Sequence, residues 1–251
     1  LADAVAQALA RHDLAGGEAW RSATPRRLVV RIDNVPERQA DRDEEVVGPP
    51  ASAGVDAAGA WTRAALGFAA KQGVDAAALT VAETPKGRYV AARKRIAGRP
   101  AADVLAEALP GIVRGIPFPK TMYWREDKFR FVRPIRSLLA LLGGAVVPFE
   151  VAGVAAGERT FGHRFLGAAA FPVTDFADYE RRLAEHGVIL DAGRRREKIQ
   201  AEIARIEAET GLRSARDPEL LEQVVFLNES PTVILGAFEE RFLAIPAEVL
   251  V

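Results

Sequence analysis

The sequence predicts an α+β fold, a mixed or antiparallel sheet with flanking helices. Strand-length apolar runs and helical stripes interleave without the regular βαβ repeat of a doubly wound sheet. Two apolar runs, 138–142 and 146–151, flank Gly143-Gly144 and read as a hairpin of buried strands. Capping residues, glycines and prolines punctuate the helical stripes at lengths suited to globular helices.

Taken in order, residues 1–14 place Leu1, Val5, Leu9 and Ala10 on one helical stripe that ends toward Gly16-Gly17. After the break at Thr24-Pro25, residues 28–32 (LVVRI) read as a strand. Charges dominate 36–45 and imply a solvated connection, and Gly48-Pro49-Pro50 reads as a rigid turn. Thr62 is the expected N-cap of a helix through Lys71-Gln72, stopped by Gly73, with Ala65, Leu66, Phe68 and Ala69 on its core face. A turn at 85–88 leads into a strand over 89–96 with an exposed basic edge at Arg93, Lys94 and Arg95. Pro100 suits the first turn of a helix running to Leu109, with Pro110-Gly111 as its interruption.

Beyond the Gly-Gly hairpin, Thr174 or Asp175 caps an amphipathic helix through His186, ended by Gly187. Residues 188–190 read as a short strand. Asp191 caps a long helix over 192–210, stopped by Gly211, and Asp217-Pro218 starts another with Leu220, Leu221, Val224 and Val225 inward. Residues 232–235 read as a strand and 244–251 as the onset of a further element. The expected organisation is an α+β core over about 24–190, with a helical segment over about 191–228 packing on it.

The composition is that of an ordinary soluble protein: 251 residues, 49% hydrophobic and 27% charged. The longest apolar runs fall far short of the ~20 residues of a membrane helix, so no membrane partner is expected. The absence of cysteine excludes disulfides and thiolate zinc sites and fits a cytoplasmic protein. His12, His163 and His186 are scattered, without metal-site spacing, and no metal is expected. Neither common phosphate-binding glycine loop is present, nor is a nucleophile elbow. Adjacent carboxylates (Glu44-Glu45, Glu126-Asp127, Glu239-Glu240) point apart on a strand or helix and make poor acid–base pairs. No catalytic residue is assigned.

Lys plus Arg (34) balance Asp plus Glu (34), so a nucleic-acid role must rest on local clustering. The densest cluster lies in the stretch 116–166, around which the chain is organised. Lys120, Arg125, Lys128, Arg130, Arg133 and Arg136 interleave with Tyr123, Trp124 and Phe129. Cations neutralise phosphates and rings stack on unpaired bases. The competing reading puts the rings in the core and the arginines in ion pairs. Arg194, Arg195 and Arg196 crowd a helix start, where the dipole disfavours cations, and pose the same choice between contact and solvated face. His163, beside Arg164, reads either as an acid–base group or as a strand-end histidine bonded to backbone. The second is expected, because no carboxylate or nucleophile accompanies it.

The stretch FPKTMYWREDKFRFVRPIRSLLALLGG followed by GHRF resembles the N-terminal region of the β subunit of bacterial glycyl-tRNA synthetase. That family shows a Pro-Lys-x-Met-Arg-Trp segment, then Phe-Val-Arg-Pro, then Gly-His-Arg-Phe. Further matches follow the family's order: Thr24-Pro25-Arg26-Arg27-Leu28, Gly48-Pro49-Pro50, residues 64–69 (AALGFA) and 238–246 (FEERFLAIP). The chain departs from the pattern at Tyr123, at Arg125-Glu126-Asp127 and at Asn228-Glu229-Ser230-Pro231.

The resemblance implies a fold similar to the B3/B4 module of the phenylalanyl-tRNA synthetase β subunit. It implies an N-terminal fragment of a longer subunit, in keeping with an opening at Leu1 and an end at Val251. It further implies a non-catalytic part that supports tRNA binding and subunit assembly, with the α subunit and glycine tRNA as partners. ATP with magnesium would be used by the α subunit, and this part would hold no cofactor. The alternatives are a tRNA-deacylating editing module and a pure protein-interaction scaffold. The residues carried forward as RNA or partner contacts are Lys120, Arg125, Lys128, Arg130, Arg133, Arg136, His163, Arg164, Arg194, Arg195 and Arg196.

Overall fold

The computed structural model describes residues 1–126 and 128–250. Asp127, of the expected acid pair, and Val251, of the expected last element, lie outside them. The chain forms two compact units. One comprises Leu1–Ala6, Gly17–Asp33 and Leu109–Val251, and the other Gln7–Gly16 and Asn34–Ala108. Helices accompany small, mostly antiparallel sheets, so the α+β class holds.

Helix α1 (Ala2–Arg11) buries Leu9 of the expected stripe, with Ala2 and Ala8 outside it, whereas Ala10 is exposed. Strands β1 (Ala19–Thr24) and β2 (Arg27–Ile32) pair antiparallel, from Ala19 opposite Ile32 to Thr24 opposite Arg27. The expected strand is β2. Its partner (AWRSAT) carries too little apolar alternation to show in the sequence.

Strand β3 (Arg42–Pro50) overturns two expectations, the solvated connection and the Gly-Pro-Pro turn. It is one edge of a three-stranded antiparallel sheet with β4 (Leu79–Thr84) and β5 (Gly87–Ile96), in the order β3–β5–β4. Asp43 faces Arg95, Glu44 faces Lys94 and Glu45 faces Arg93. Opposite charges across the ladder supply the pairing preference that hydrophobicity does not. Strand β5 is the central strand, but β4 reaches only to Ala92, so Arg93, Lys94 and Arg95 pair with β3 on one side and are exposed, as expected.

Helices α2 (Ala51–Gly54) and α3 (Arg63–Gln72) follow β3 in the chain. Thr62 caps α3 by accepting from the Ala65 N–H, and Gly73 ends it in the left-handed region. Ala65 and Ala69 pack with Leu79, Val90 and Ala92, whereas Leu66, expected in the core, is exposed. Helix α4 (Ala101–Arg114) runs through Pro110 rather than stopping there. The proline forfeits one backbone bond, but the apolar stripe continues at Leu109, Ile112 and Val113, which are partly buried.

Two short strands, β6 (Met122–Tyr123) and β7 (Arg130–Phe131), form an antiparallel hairpin. The Gly-Gly hairpin exists but is smaller than expected. Its arms are β9 (Leu141–Leu142) and β10 (Ala145–Val146), while β8 (Leu138–Leu139) turns away to pair in parallel with β12 (Val154–Gly157). Strand β11 (Glu150–Val151) completes that sheet on the other side of β12. Strands β13 (Arg159–Phe161) and β14 (Ala170–Pro172) pair antiparallel and bracket the Gly-His-Arg-Phe loop.

Helices α5 (Phe176–Glu185), α6 (Ala192–Thr210) and α7 (Pro218–Leu227) start at Asp175, Asp191 and Asp217, whose side chains accept the expected capping bonds. Leu220, expected inward on α7, is exposed, while Val225 is fully buried. Helix α8 (Ala247–Leu250) closes the described chain. Phe171, Val173, Tyr179, Leu183, Val188 and Leu190 form the core here, joined by Trp20, Val29, Leu139, Leu141 and Phe176.

Neither 188–190 nor 232–235 is a strand. Neither joins a ladder: the Ile189 N–H donates to the Glu229 carbonyl (2.8 Å) and the Ser22 hydroxyl to the Leu190 carbonyl (2.7 Å), while the Val233 N–H donates to the Glu202 carboxylate (2.7 Å). That last bond, with Lys198, holds the Glu202 carboxyl below its ordinary pKa.

Candidate nucleic-acid interface

The β6–β7 hairpin is fixed from within. Trp124 donates its indole N–H to the Phe131 carbonyl (2.8 Å), and its backbone N–H donates to the Phe129 carbonyl (3.1 Å). Phe131 meets Phe118 edge-on, with centroids 4.9 Å apart, and stacks with Phe129 at 5.9 Å. Lys128 takes a positive φ of 56° at the turn. Of the three rings expected to stack on bases, Trp124 and Phe129 are therefore partly buried and engaged within the hairpin. Tyr123 is 62% exposed.

Tyr123 and Arg130 are directly opposed on the two strands, so their side chains share one face. The Arg130 guanidinium lies 5.6 Å from the Tyr123 ring centroid and donates to the Thr121 hydroxyl at 3.2 Å. Lys120, Lys128, Arg133 and Arg136 are exposed and form no ion pair among the described residues. Arg125 lies over the turn between β11 and β12. A Cβ at Gly153 would stand 2.4 Å from its Nη1 and push the guanidinium aside, and the φ of 71° there favours glycine in itself.

The Gly-His-Arg-Phe loop is built by close approach. A Cβ at Gly162 would fall 2.2 Å from the Gly167 carbonyl and 2.4 Å from the His186 Cβ. His163 Nδ1 accepts the backbone N–H groups of Phe165 and Leu166 at 3.3 and 3.2 Å. The expected backbone role is thus the observed one, with the imidazole as acceptor rather than donor to a carbonyl. That lone pair is engaged and unavailable for base catalysis. Arg164 is exposed over the Phe165 ring at 5.5 Å. His186 caps the end of α5, as expected.

The arginine triplet at the start of α6 divides three ways. Arg195 is fully buried, which rules it out as a surface contact in this fold. Its Nε donates to the Val225 carbonyl, Nη1 to those of Ile189 and Leu190, and Nη2 to that of Ala23, each at 2.8 Å. Burial lowers its pKa, opposed by Asp191 and Glu229, and these four acceptors explain a cation where the helix dipole disfavours one. Arg196 pairs with Glu222 of α7, and Arg194 lies 3.7 Å from Glu180 while remaining mostly exposed.

A second buried cluster went unmarked in the sequence. Glu229, 2% exposed, accepts from the Thr24 hydroxyl (2.6 Å) and from Arg27 Nη1, while Arg27 Nη2 donates to the Phe161 and Gly162 carbonyls. Burial pushes the neighbouring Tyr179 phenol up to about 12. Residues 200 positions apart gave no local signal of this network. Among the described residues no group of His, Cys, Asp or Glu could hold a metal ion, and no helix is long and apolar enough to cross a membrane.

Comparison with known proteins places these features among aminoacyl-tRNA synthetase subunits. Residues 1–251 match the family model described as glycyl-tRNA synthetase beta subunit, and the chain belongs to that family. Similar proteins are the glycine–tRNA ligase beta subunits of Trichlorobacter lovleyi (44% identical over 228 residues, 91% of this chain and 33% of that one) and Geobacter sulfurreducens (44% over 238 residues, 95% and 35%). That of Moorella thermoacetica is 42% identical over 228 residues, 91% of this chain and 33% of that one. The chain thus spans about a third of the length of these relatives.

Proposed function

We propose that this chain is a non-catalytic N-terminal part of a glycyl-tRNA synthetase β subunit. In this reading it supports tRNA binding and subunit assembly for the attachment of glycine to its tRNA in the cytoplasm. Its partners are the α subunit, which uses ATP with magnesium, and glycine tRNA. The B3/B4 module of the phenylalanyl-tRNA synthetase β subunit is the proposed structural counterpart. The observation that carries RNA contact is the exposed hairpin and its rim, where Lys120, Lys128, Arg133 and Arg136 have no ionic partner among the described residues. Such cations release counterions when they meet phosphates. The assembly role draws support from Leu227, Ile234 and Phe238, which are 73%, 83% and 66% exposed.

The test is binding of glycine tRNA by this chain across a salt series. Affinity is expected to fall steeply with salt, and Arg133→Glu with Arg136→Glu to weaken it and flatten the slope. Absence of binding at low salt would overturn the RNA reading. The chain alone is expected to give no glycine-dependent pyrophosphate exchange, and measurable exchange would overturn the non-catalytic assignment.

A further inference from the structure

The hairpin displays more than charge. Its inner side is a packed set of rings, Phe118, Phe129 and Phe131, with Trp124 tied across the strands. Phe129, just before β7, stacks with Phe131 on one side, and Arg130 between them turns to the other. There it meets Tyr123, its directly opposed partner. One face of the tyrosine ring is covered by the guanidinium at 5.6 Å, and the side chain remains 62% exposed. The Thr121 hydroxyl restrains Arg130, so the ring–cation pair is organised before any ligand arrives.

Charge complementarity selects the occupant. Between Lys120 and Arg136 six cations stand against Glu126 and Asp127, and an exposed ring within such a field suits a polyanion that carries planar groups. A double-stranded RNA offers phosphates and 2′-hydroxyls but keeps its bases stacked inside, so Tyr123 would gain nothing from it. An unpaired nucleotide offers a π-face, and base–aromatic stacking tolerates any sequence.

Resting on the reading of this hairpin as an RNA contact, we infer that it takes an unpaired ribonucleotide. The base stacks on Tyr123 backed by Arg130, and the flanking phosphates lie against Lys120, Lys128 and Arg133. The hairpin thereby selects single-stranded segments of an RNA over its helical ones. Tyr123 gives this chain a stacking surface that an arginine substitutes only in part.

The experiment compares a short single-stranded oligoribonucleotide with a duplex of equal length, by fluorescence anisotropy with the 251-residue chain at low salt. Tyr123→Leu is expected to weaken single-strand binding by roughly 5- to 100-fold while leaving duplex binding unchanged, and Tyr123→Phe to retain binding. Tyr123 is largely exposed, so the variants should keep the fold, which unchanged tryptophan fluorescence would verify. If Tyr123→Leu binds the single strand like the parent while Lys120→Glu with Arg133→Glu abolishes binding, stacking is overturned and the phosphate contact stands. If neither RNA binds the parent chain, the hairpin reading itself falls.

Discussion

Two basic clusters that look alike in sequence have opposite fates. The triplet Arg194, Arg195, Arg196 turns inward at its centre, and Arg195 spends its guanidinium on four backbone carbonyls. The stretch from Lys120 to Arg136 turns outward, and four of its cations have no ionic partner among the described residues. The difference lies in what surrounds them. Around Arg195 the end of β1, the segment before α6 and the last turn of α7 converge and present four carbonyls to one guanidinium. A planar fork of donors fits that gathering, and a lysine ammonium would not span it. Around the hairpin no such gathering of carbonyls meets Lys120, Lys128, Arg133 or Arg136 among the described residues, and these four side chains are exposed.

The largest expected effect tests the inward cluster. Arg195→Met should cost about 3–5 kcal/mol in urea unfolding, because the Val225, Ile189 and Ala23 carbonyls lose the guanidinium inside the fold, while Leu190 keeps the Ser22 hydroxyl. Arg195→Lys should recover little of that loss. An unfolding midpoint unchanged by Arg195→Met would dissolve the contrast between the two clusters.

Tyr179 sharpens the same side through pH. Burial raises its phenol from 10.0 to about 12, so folding favours the protonated form. Its contribution is whole below pH 10.0 and drains away as pH rises toward about 12, a loss on the order of 2–3 kcal/mol. Tyr179→Phe should flatten stability across that alkaline window. Equal slopes for the two proteins would show that the phenol ionises freely in the folded state.

The smallest expected effect belongs to the outward cluster. Arg133→Glu and Arg136→Glu should shift stability by no more than about 0.5 kcal/mol, since both side chains are exposed and neither has an ionic partner among the described residues. A shift of several kcal/mol would make these arginines structural and erase the distinction from Arg195.

The sequence showed its helices better than its sheets. Asp175, Asp191 and Asp217 cap where their positions predict, and Gly73, Gly187 and Gly211 take the positive φ that ends a helix. Caps act within one turn of the chain, so local chemistry decides them. Strand β3 stayed hidden because its support is cross-strand charge from a β5 segment about fifty residues away, and 232–235, expected as a strand, meets no partner strand among the described residues. The candidate site was legible as a list of cations but not as a geometry.

What the sequence determined by itself, then, was the α+β class, the Asp-capped and glycine-stopped helix ends, the family and the density of positive charge between Lys120 and Arg136. Only the tertiary structure decided which cations face water. It placed four carbonyls around Arg195, joined Glu229 to Thr24 and Arg27, and left Tyr123 exposed beside Arg130. A charge or a ring acquires its role from partners brought in across long stretches of chain, and no local pattern encodes which partners will arrive.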